Sequence, residues 1–260
     1  MFPKRLLAPG FLTVMNLFLG FYSVISSSKE DYVTASWLIV LAAIFDAFDG
    51  KVARATKGFS KFGGEFDSLA DVISFGAAPS FLLYQVHLHN MGPAGLIISF
   101  FPLMFGAIRL ARFNIEVAGP DKIHFKGLPI PAAAGTLASF VIFNYHIWNE
   151  LWIPSLILPL TISVSLFMVS TLEFDALPKF TFRSGKRNSI LFMLLLTGAT
   201  IVVFFPQKAA FPLATAYIIY SSIRSLLRMG IENNGSHEKR RKRLFNKKAV
   251  NKQNKVTVKE

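Results

Sequence analysis

Apolar segments of about twenty residues recur along this chain, and they constrain its fold more than any other feature. The sequence has 260 residues, is 52% hydrophobic and has a mean hydropathy of +0.45. A helix needs about 20 mostly apolar residues to cross the hydrocarbon core of a bilayer. Only helices and closed barrels satisfy their backbone hydrogen bonds in lipid. The sequence therefore predicts an all-α, polytopic helical membrane protein.

Eight segments approach the length of a membrane crossing, and no soluble domain separates them. They cover residues 10–28, 33–54, 65–87, 92–113, 130–148, 152–171, 188–206 and 209–227. We expect about eight transmembrane helices in one domain, residues 1–230. Residues 231–260 then form a basic cytoplasmic tail.

Positive charge is unevenly distributed among the loops. Alternate loops carry most of the cations, and Lys4, Arg5 and the tail fall on that same side. These loop cations are Lys51, Arg54, Lys57, Lys61, Arg109, Arg112, Lys122, Lys126, Lys179, Arg183, Lys186 and Arg187. Cytoplasmic loops are enriched in Lys and Arg. We therefore expect both termini in the cytoplasm and the protein in the cell (inner) membrane.

The tail is the most basic part of the chain. From Glu232 to the end it has ten Lys or Arg and three Glu, and few apolar residues, so we expect it to be disordered. Such a juxtamembrane segment is typical of binding to anionic membrane lipids. It can also simply enforce topology. Nucleic-acid binding is the disfavoured alternative, because membrane segments precede the tail.

Four aspartates lie close together at the ends of two neighbouring segments: Asp46, Asp49, Asp67 and Asp71. Their spacings of three and four residues place two on one stripe of each helix. Helices joined by a short connection lie side by side, so the two stripes can meet. Carboxylates at membrane depth are costly, and an oxygen cluster favours Mg²⁺, Mn²⁺ or Ca²⁺. The alternative is that the aspartates pair with Lys and Arg of the adjacent loop.

The residues around these aspartates form a family signature. The pattern is Asp46-x-x-Asp49-Gly50-x-x-Ala53-Arg54, eight residues, then Gly63-x-x-x-Asp67-x-x-x-Asp71. It resembles the CDP-alcohol phosphotransferases at every fixed position. The resemblance implies a membrane enzyme that transfers a phosphatidyl or similar group from a CDP-linked donor to an alcohol and releases CMP.

The same resemblance implies roles for individual residues. The four aspartates would hold divalent cations, Mg²⁺ or Mn²⁺ and two per site, and Asp71 would also take the proton of the alcohol. Members of the family are often dimers, so we expect a homodimer. The donor-binding positions that we predict are Asn16, Asp49, Gly50, Ala53, Arg54, Gly63 and Ser74.

Further segments narrow the acceptor alcohol. Residues 74–79, 109–114 and 125–131, together with Asn16 and Gly20, resemble the membrane-spanning phosphatidylserine synthases within the family. The resemblance implies CDP-diacylglycerol as donor and L-serine as acceptor. Arg binds a carboxylate through two parallel hydrogen bonds. The acceptor-binding residues that we predict are Arg109, Arg112 and Lys126, although these cations can instead be topology signals.

Two alternatives remain open at this point. The first is the same transfer to glycerol 3-phosphate, inositol phosphate or choline. The second is a cation transporter with acids along an ion path. That class is expected to spread its acids through the membrane depth and to show inverted repeats. Here the acids are confined to one end of the helices, and the sequence shows no repeat.

Overall fold

Helices dominate the structure of this protein, a computed structural model. The structure describes residues 7–56, 61–117, 127–172, 197–198, 200–202 and 204–228, and nearly all of these residues are helical. Within these ranges there is no strand. The helices are α1 Leu7–Ser28, α2 Tyr32–Thr56, α3 Lys61–Asp71, α4 Ala78–Val86, α5 Pro93–Val117, α6 Ile130–Trp148, α7 Ile157–Val169 and α8, residues 206–228. The predicted all-α class is confirmed.

Five helical segments are long and apolar enough to cross a membrane: Gly10–Ser28, Tyr32–Val52, Phe62–Val86, Pro93–Ile115 and Ile130–Trp148. They agree with the first five predicted spans. The sixth predicted span contains a shorter apolar helix, Pro154–Val169. Residues 206–228 are helical where the eighth was predicted, and most of the seventh lies outside the described residues. The count of eight and the side of the termini stay predictions.

The first two helices form a tight antiparallel hairpin. Three residues connect them, with Glu30 in the left-handed region at φ 64°. The Asp31 carboxylate accepts a hydrogen bond from the Thr34 main-chain nitrogen at 3.1 Å and so caps the start of α2. Farther along the hairpin, the Ser23 hydroxyl donates to the Ala35 carbonyl oxygen at 2.8 Å. Small residues at this contact let the two backbones approach closely.

The third crossing is interrupted. A π-helical turn, Val72–Ala77, separates α3 from α4 and begins directly after Asp71. The turn packs against α1, where a Cβ added to Gly20 would lie 2.6 Å from the Ser74 Cα. It also packs against α5, where a Cβ added to Gly76 would lie 3.3 Å from the Leu103 Cα. Such π turns recur at functional sites.

The end of α7 is tied to the segment that precedes α6. The main-chain nitrogens of Gly127 and Leu128 donate to the carbonyl oxygens of Leu172 and Phe167, each at 2.9 Å. Gly127 has a φ of 82°, and a Cβ there would lie 2.2 Å from the Met168 carbonyl oxygen. Glycine is required at this position for both its backbone conformation and its lack of a side chain.

Candidate functional site

Three of the four predicted aspartates converge at the junction of α2 and α3. Asp46, Asp67 and Asp71 each offer a carboxylate oxygen, and these oxygens all lie within 4.8 Å of one another. Asp46 and Asp67 are half-buried, and Asp71 is 7% exposed. Oxygens that share one cation at about 2.0–2.6 Å lie at most about 5 Å apart. The group therefore has the dimensions of a divalent-cation site.

Asp49 stands beside this group, one helical turn after Asp46. It is 6% exposed, and its Oδ2 accepts a hydrogen bond from the Thr13 hydroxyl of α1. Its Oδ1 is buried and has no hydrogen-bond partner among the described residues, and the same holds for the Oδ1 of Asp67. A buried carboxylate oxygen without a donor is costly. A bound cation would satisfy both oxygens, so the residues present fit a metal.

Asn16 of α1 contacts Asp71, the last aspartate of α3. Its Nδ2 donates to Asp71 Oδ1 at 3.0 Å, and its main-chain oxygen accepts from the Ser74 hydroxyl at 2.8 Å. Asn16 and Ser74 are both fully buried. Both were predicted to bind the donor, and here they link α1 to Asp71 and to the π turn.

Sequence reasoning missed Thr13. It lies three residues before Asn16, so the two side chains share a face of α1. Each then donates a hydrogen bond to an aspartate, Thr13 to Asp49 and Asn16 to Asp71. The available signal was a hydroxyl and an amide at helical spacing in the otherwise apolar first half of α1.

The remaining signature residues belong to the same two helices. Gly50 follows Asp49 on α2 and is exposed, and Gly63 lies in the first turn of α3 and is half-buried. Ala53 and Arg54 belong to the last turns of α2. Their side chains lie outside the described residues.

Of the three predicted acceptor residues, the structure describes Arg109 and Arg112, and it places them differently. Arg112 Nη1 donates to the Val169 carbonyl oxygen at 3.0 Å, which ties α5 to the end of α7. Arg109, one turn earlier, is close enough to Asp71 for their charges to interact. Its Nε is buried and has no hydrogen-bond partner among the residues described. Lys126 lies outside the described residues.

A further contact fixes α5 against α3. The Asn114 side-chain nitrogen donates to the Ser68 hydroxyl at 3.1 Å, one residue after Asp67. The Ser68 hydroxyl in turn donates to the Gly64 carbonyl oxygen of the same helix at 3.1 Å. This polar contact holds the helix of the arginines beside the helix of two aspartates.

Comparison with known proteins identifies relatives over most of the chain. A family model described as CDP-alcohol phosphatidyltransferase matches residues 6–172. The CDP-diacylglycerol–serine O-phosphatidyltransferase of Helicobacter pylori is 40% identical over 225 residues, 86% of this chain and 92% of its own. The enzyme of that name from Methanocaldococcus jannaschii is 33% identical over 216 residues, 82% of this chain and 92% of its own.

A third relative has a different lipid in its name. The archaetidylserine synthase of Methanothermobacter thermautotrophicus is 35% identical over 168 residues, 64% of this chain and 68% of its own. The family match contains α1 to α7 and hence every described residue of the acidic site. With its apolar helices, the chain is an integral membrane protein, and it belongs to the CDP-alcohol phosphatidyltransferase family.

Proposed function

We propose that the protein transfers the phosphatidyl group of CDP-diacylglycerol to the hydroxyl of L-serine, giving phosphatidylserine and CMP. The observation that carries the proposal is the convergence of Asp46, Asp67 and Asp71, with Asp49 beside them, in a chain 40% identical to an enzyme of that name. Carboxylates at the end of membrane helices bring a polar donor headgroup and its lipid chains to one site.

The four aspartates hold divalent cations, Mg²⁺ or Mn²⁺, with two per site. The two buried oxygens without partners, on Asp49 and Asp67, support this assignment. When bound, such ions neutralise the charge of the pyrophosphate and stabilise the entering and leaving oxygens. Two hydrogen bonds from α1 hold the carboxylates in place: Thr13 orients Asp49, and Asn16 orients Asp71.

Asp71 takes the proton of the serine hydroxyl. The serine oxygen then bonds to the phosphorus of the phosphatidyl group, the bond from that phosphorus to CMP breaks, and the proton stays on the Asp71 carboxyl. The Asn16 amide occupies Oδ1 of Asp71 at 3.0 Å. The other carboxylate oxygen is left to face the acceptor or the cations, which gives the base a fixed orientation.

The donor headgroup lies along the end of α2. Gly50 is exposed and has no side chain, so a phosphate can approach the backbone there. Ala53, Gly63, Asn16 and Ser74 complete the donor-binding set with Asp49. Arg54, at the last turn of α2, neutralises the nucleotide diphosphate.

The acceptor carboxylate binds to the cations of α5. Of the two arginines of α5, Arg109 is better placed to bind the serine carboxylate. Arg112 already donates to the Val169 carbonyl oxygen, whereas Arg109 has a buried nitrogen without a partner among the described residues. Lys126 is the third candidate. Serine as acceptor is supported by the names of the relatives, which share serine although they differ in the lipid.

The orientation of the protein follows from its charges. The chain crosses the inner membrane eight times with both termini in the cytoplasm, and the active site opens to the cytoplasm. It works as a homodimer, and residues 231–260 bind anionic lipids at the membrane surface. A reporter fused after Glu260 that proved to be extracytoplasmic would refute this topology.

The proposed reaction is tested with the purified full-length protein, CDP-diacylglycerol, Mn²⁺ or Mg²⁺, and labelled alcohols. We expect CMP release that depends on serine, and no product from glycerol 3-phosphate, inositol phosphate or choline. Asp71→Asn should lose at least about 10²-fold in kcat, as expected for removal of a general base. Glu65→Gln, which changes an exposed acid of the same helix, is the matched control.

Two results would refute the assignment. Incorporation of glycerol 3-phosphate but not serine would exclude serine as the acceptor. Near-normal turnover by Asp71→Asn, in protein that inserts and purifies like the wild type, would exclude Asp71 as the base.

A further inference from the structure

A cleft with a volume of about 260 Å³ lies between α2, α6 and α8, outside the acidic site. Val40 of α2, Gly135 and Thr136 of α6, and Ala214 and Tyr217 of α8 are among its lining residues. The α8 side falls beyond the region matched by the family model, residues 6–172. The cleft is therefore formed jointly by the region that the family model matches and by a helix outside it.

The lining presents apolar surface, although it includes hydroxyl side chains. The Thr136 hydroxyl donates to the Ala132 carbonyl oxygen at 2.8 Å, and the Ser139 hydroxyl donates to the Thr136 carbonyl oxygen at 3.0 Å. Since these hydroxyls are satisfied within their own helices, an occupant needs no polar groups.

The volume and the surroundings both favour a hydrocarbon occupant. A dry cavity of about 150 Å³ is large enough for benzene, so this cleft takes a longer apolar group. None of the described residues that line the cleft carries a charge. Its walls belong to helices of an integral membrane protein, where lipid acyl chains are the available hydrocarbon.

We propose that this cleft binds an acyl chain of the CDP-diacylglycerol donor. The inference rests on the proposed function for the identity of the donor. Val40 lies six residues before Asp46 on α2, which is about 9 Å along the helix axis at 1.5 Å per residue. A donor with its pyrophosphate at the aspartates extends its chains away from this polar end, toward the depth of the cleft.

Small residues keep the cleft open, and one of them makes a clean test possible. A Cβ added to Gly135 would meet no atom within 4 Å. A side chain can therefore be introduced there without a backbone clash, and it would fill the cleft. Ala214→Phe fills the cleft from the facing helix. Ile219→Phe is the matched control, because Ile219 lies on α8 outside the cleft and is 53% exposed.

The first measurement compares donors that differ only in chain length, dioctanoyl and dipalmitoyl CDP-diacylglycerol. We expect Gly135→Phe and Ala214→Phe each to lower the ratio of kcat/KM for the long donor to that for the short donor by about tenfold. The reason is that misplacing a substrate by about 1 Å costs up to about 10²-fold. Ile219→Phe should leave this ratio unchanged. An unchanged ratio in both cleft variants, or an equal change in the control, would overturn the inference.

The second measurement does not require turnover. CDP-diacylglycerol with a photoreactive diazirine in the middle of one acyl chain should label peptides of α6 or α8 in the full-length protein. Gly135→Phe should reduce this labelling severalfold. Labelling confined to other helices would overturn the inference. Displacement by phosphatidylglycerol as effective as displacement by unlabelled donor would also overturn it, because bulk lipid would then occupy the cleft.

The two measurements separate this inference from the proposed function. Labelling of α6 or α8 in a protein that releases no CMP on addition of serine would support acyl-chain binding in the cleft and refute serine as the acceptor. Serine-dependent CMP release with neither a chain-length effect nor labelling of these helices would refute the cleft alone.

Discussion

We expect Gly20→Ala, which adds a single methyl group, to disturb the proposed active site strongly. Gly20 lies one turn after Asn16 on α1 and faces the π turn that follows Asp71. A Cβ added to Gly20 would lie 2.3 Å from the Ser74 Oγ, 2.6 Å from its Cα and 2.8 Å from its Cβ. Because one of these atoms belongs to the backbone, a side-chain rotation cannot relieve the clash.

The expected displacement follows from these distances. Carbon atoms that touch lie about 3.5–4.0 Å apart, so Gly20→Ala forces α1 and the π turn apart by about 1 Å. The hydrogen bond from Asn16 to Asp71 would lengthen from 3.0 Å to about 4 Å, beyond the usual limit of about 3.2 Å. Overpacking of this kind costs about 1–3 kcal/mol of stability. A displacement of about 1 Å at Asp71, the proposed base, should lower kcat by up to about 10²-fold.

The assay is serine-dependent CMP release by the purified variant, together with its thermal unfolding in detergent. Gly10→Ala is the control on the same helix, because a Cβ there meets nothing within 4 Å. We expect the control to keep wild-type kcat. Full activity of Gly20→Ala would refute the claim that the packing of α1 against the π turn positions Asp71.

A second substitution tests whether the clash acts through Ser74. Ser74→Gly removes the Oγ and Cβ atoms that the new methyl group would meet, but it leaves the backbone Cα at 2.6 Å. The double variant should therefore recover part of the kcat lost by Gly20→Ala. Substitutions at neighbouring positions that touch are not additive, and the double-mutant cycle measures this coupling. Strictly additive losses would show that the two residues act independently.

Three further predictions follow from other parts of the structure. Gly127→Ala should lower the free energy of unfolding by at least about 1–3 kcal/mol, measured by thermal unfolding, because an L side chain is strained at φ 82° and meets the Met168 carbonyl; an unchanged unfolding temperature would contradict this. Arg112→Gln should destabilise the protein by about 1–3 kcal/mol through loss of its bond to Val169, whereas Arg109→Gln should raise the KM for serine about tenfold; the reverse pattern would assign the acceptor to Arg112. Removal of divalent cations with a chelator should abolish CMP release, and Mn²⁺ or Mg²⁺ should restore it, so activity that persists without added metal would count against a metal site.

The helix spacing of the aspartates was enough to predict their convergence. Asp46 and Asp49 share one face of α2, and Asp67 and Asp71 share one face of α3, as the spacings of three and four residues require. The short connection between these helices leaves few ways to pair them. Three of the four carboxylates consequently meet. These features are local in sequence, which is why they could be predicted from it.

Other features depend on tertiary packing that no local pattern reports. The third span was predicted as one helix over residues 65–87, but it contains the π turn Val72–Ala77. The extra residue of such a turn changes which side chains face α1 and α5. The different placements of Arg109 and Arg112 depend in the same way on where α7 ends, since the Val169 carbonyl binds Arg112.

The hydrogen bonds from α1 make it part of the proposed catalytic unit, although the aspartate signature lies entirely on α2 and α3. Thr13 donates to Asp49 of α2, and Asn16 donates to Asp71 of α3, so one helix orients a carboxylate of each stripe. A change in the position of α1 would therefore move both stripes at once. Its close approach to the π turn at Gly20 fixes that position. The carboxylates that we propose as metal ligands are supplied by two helices, but their geometry is set by three.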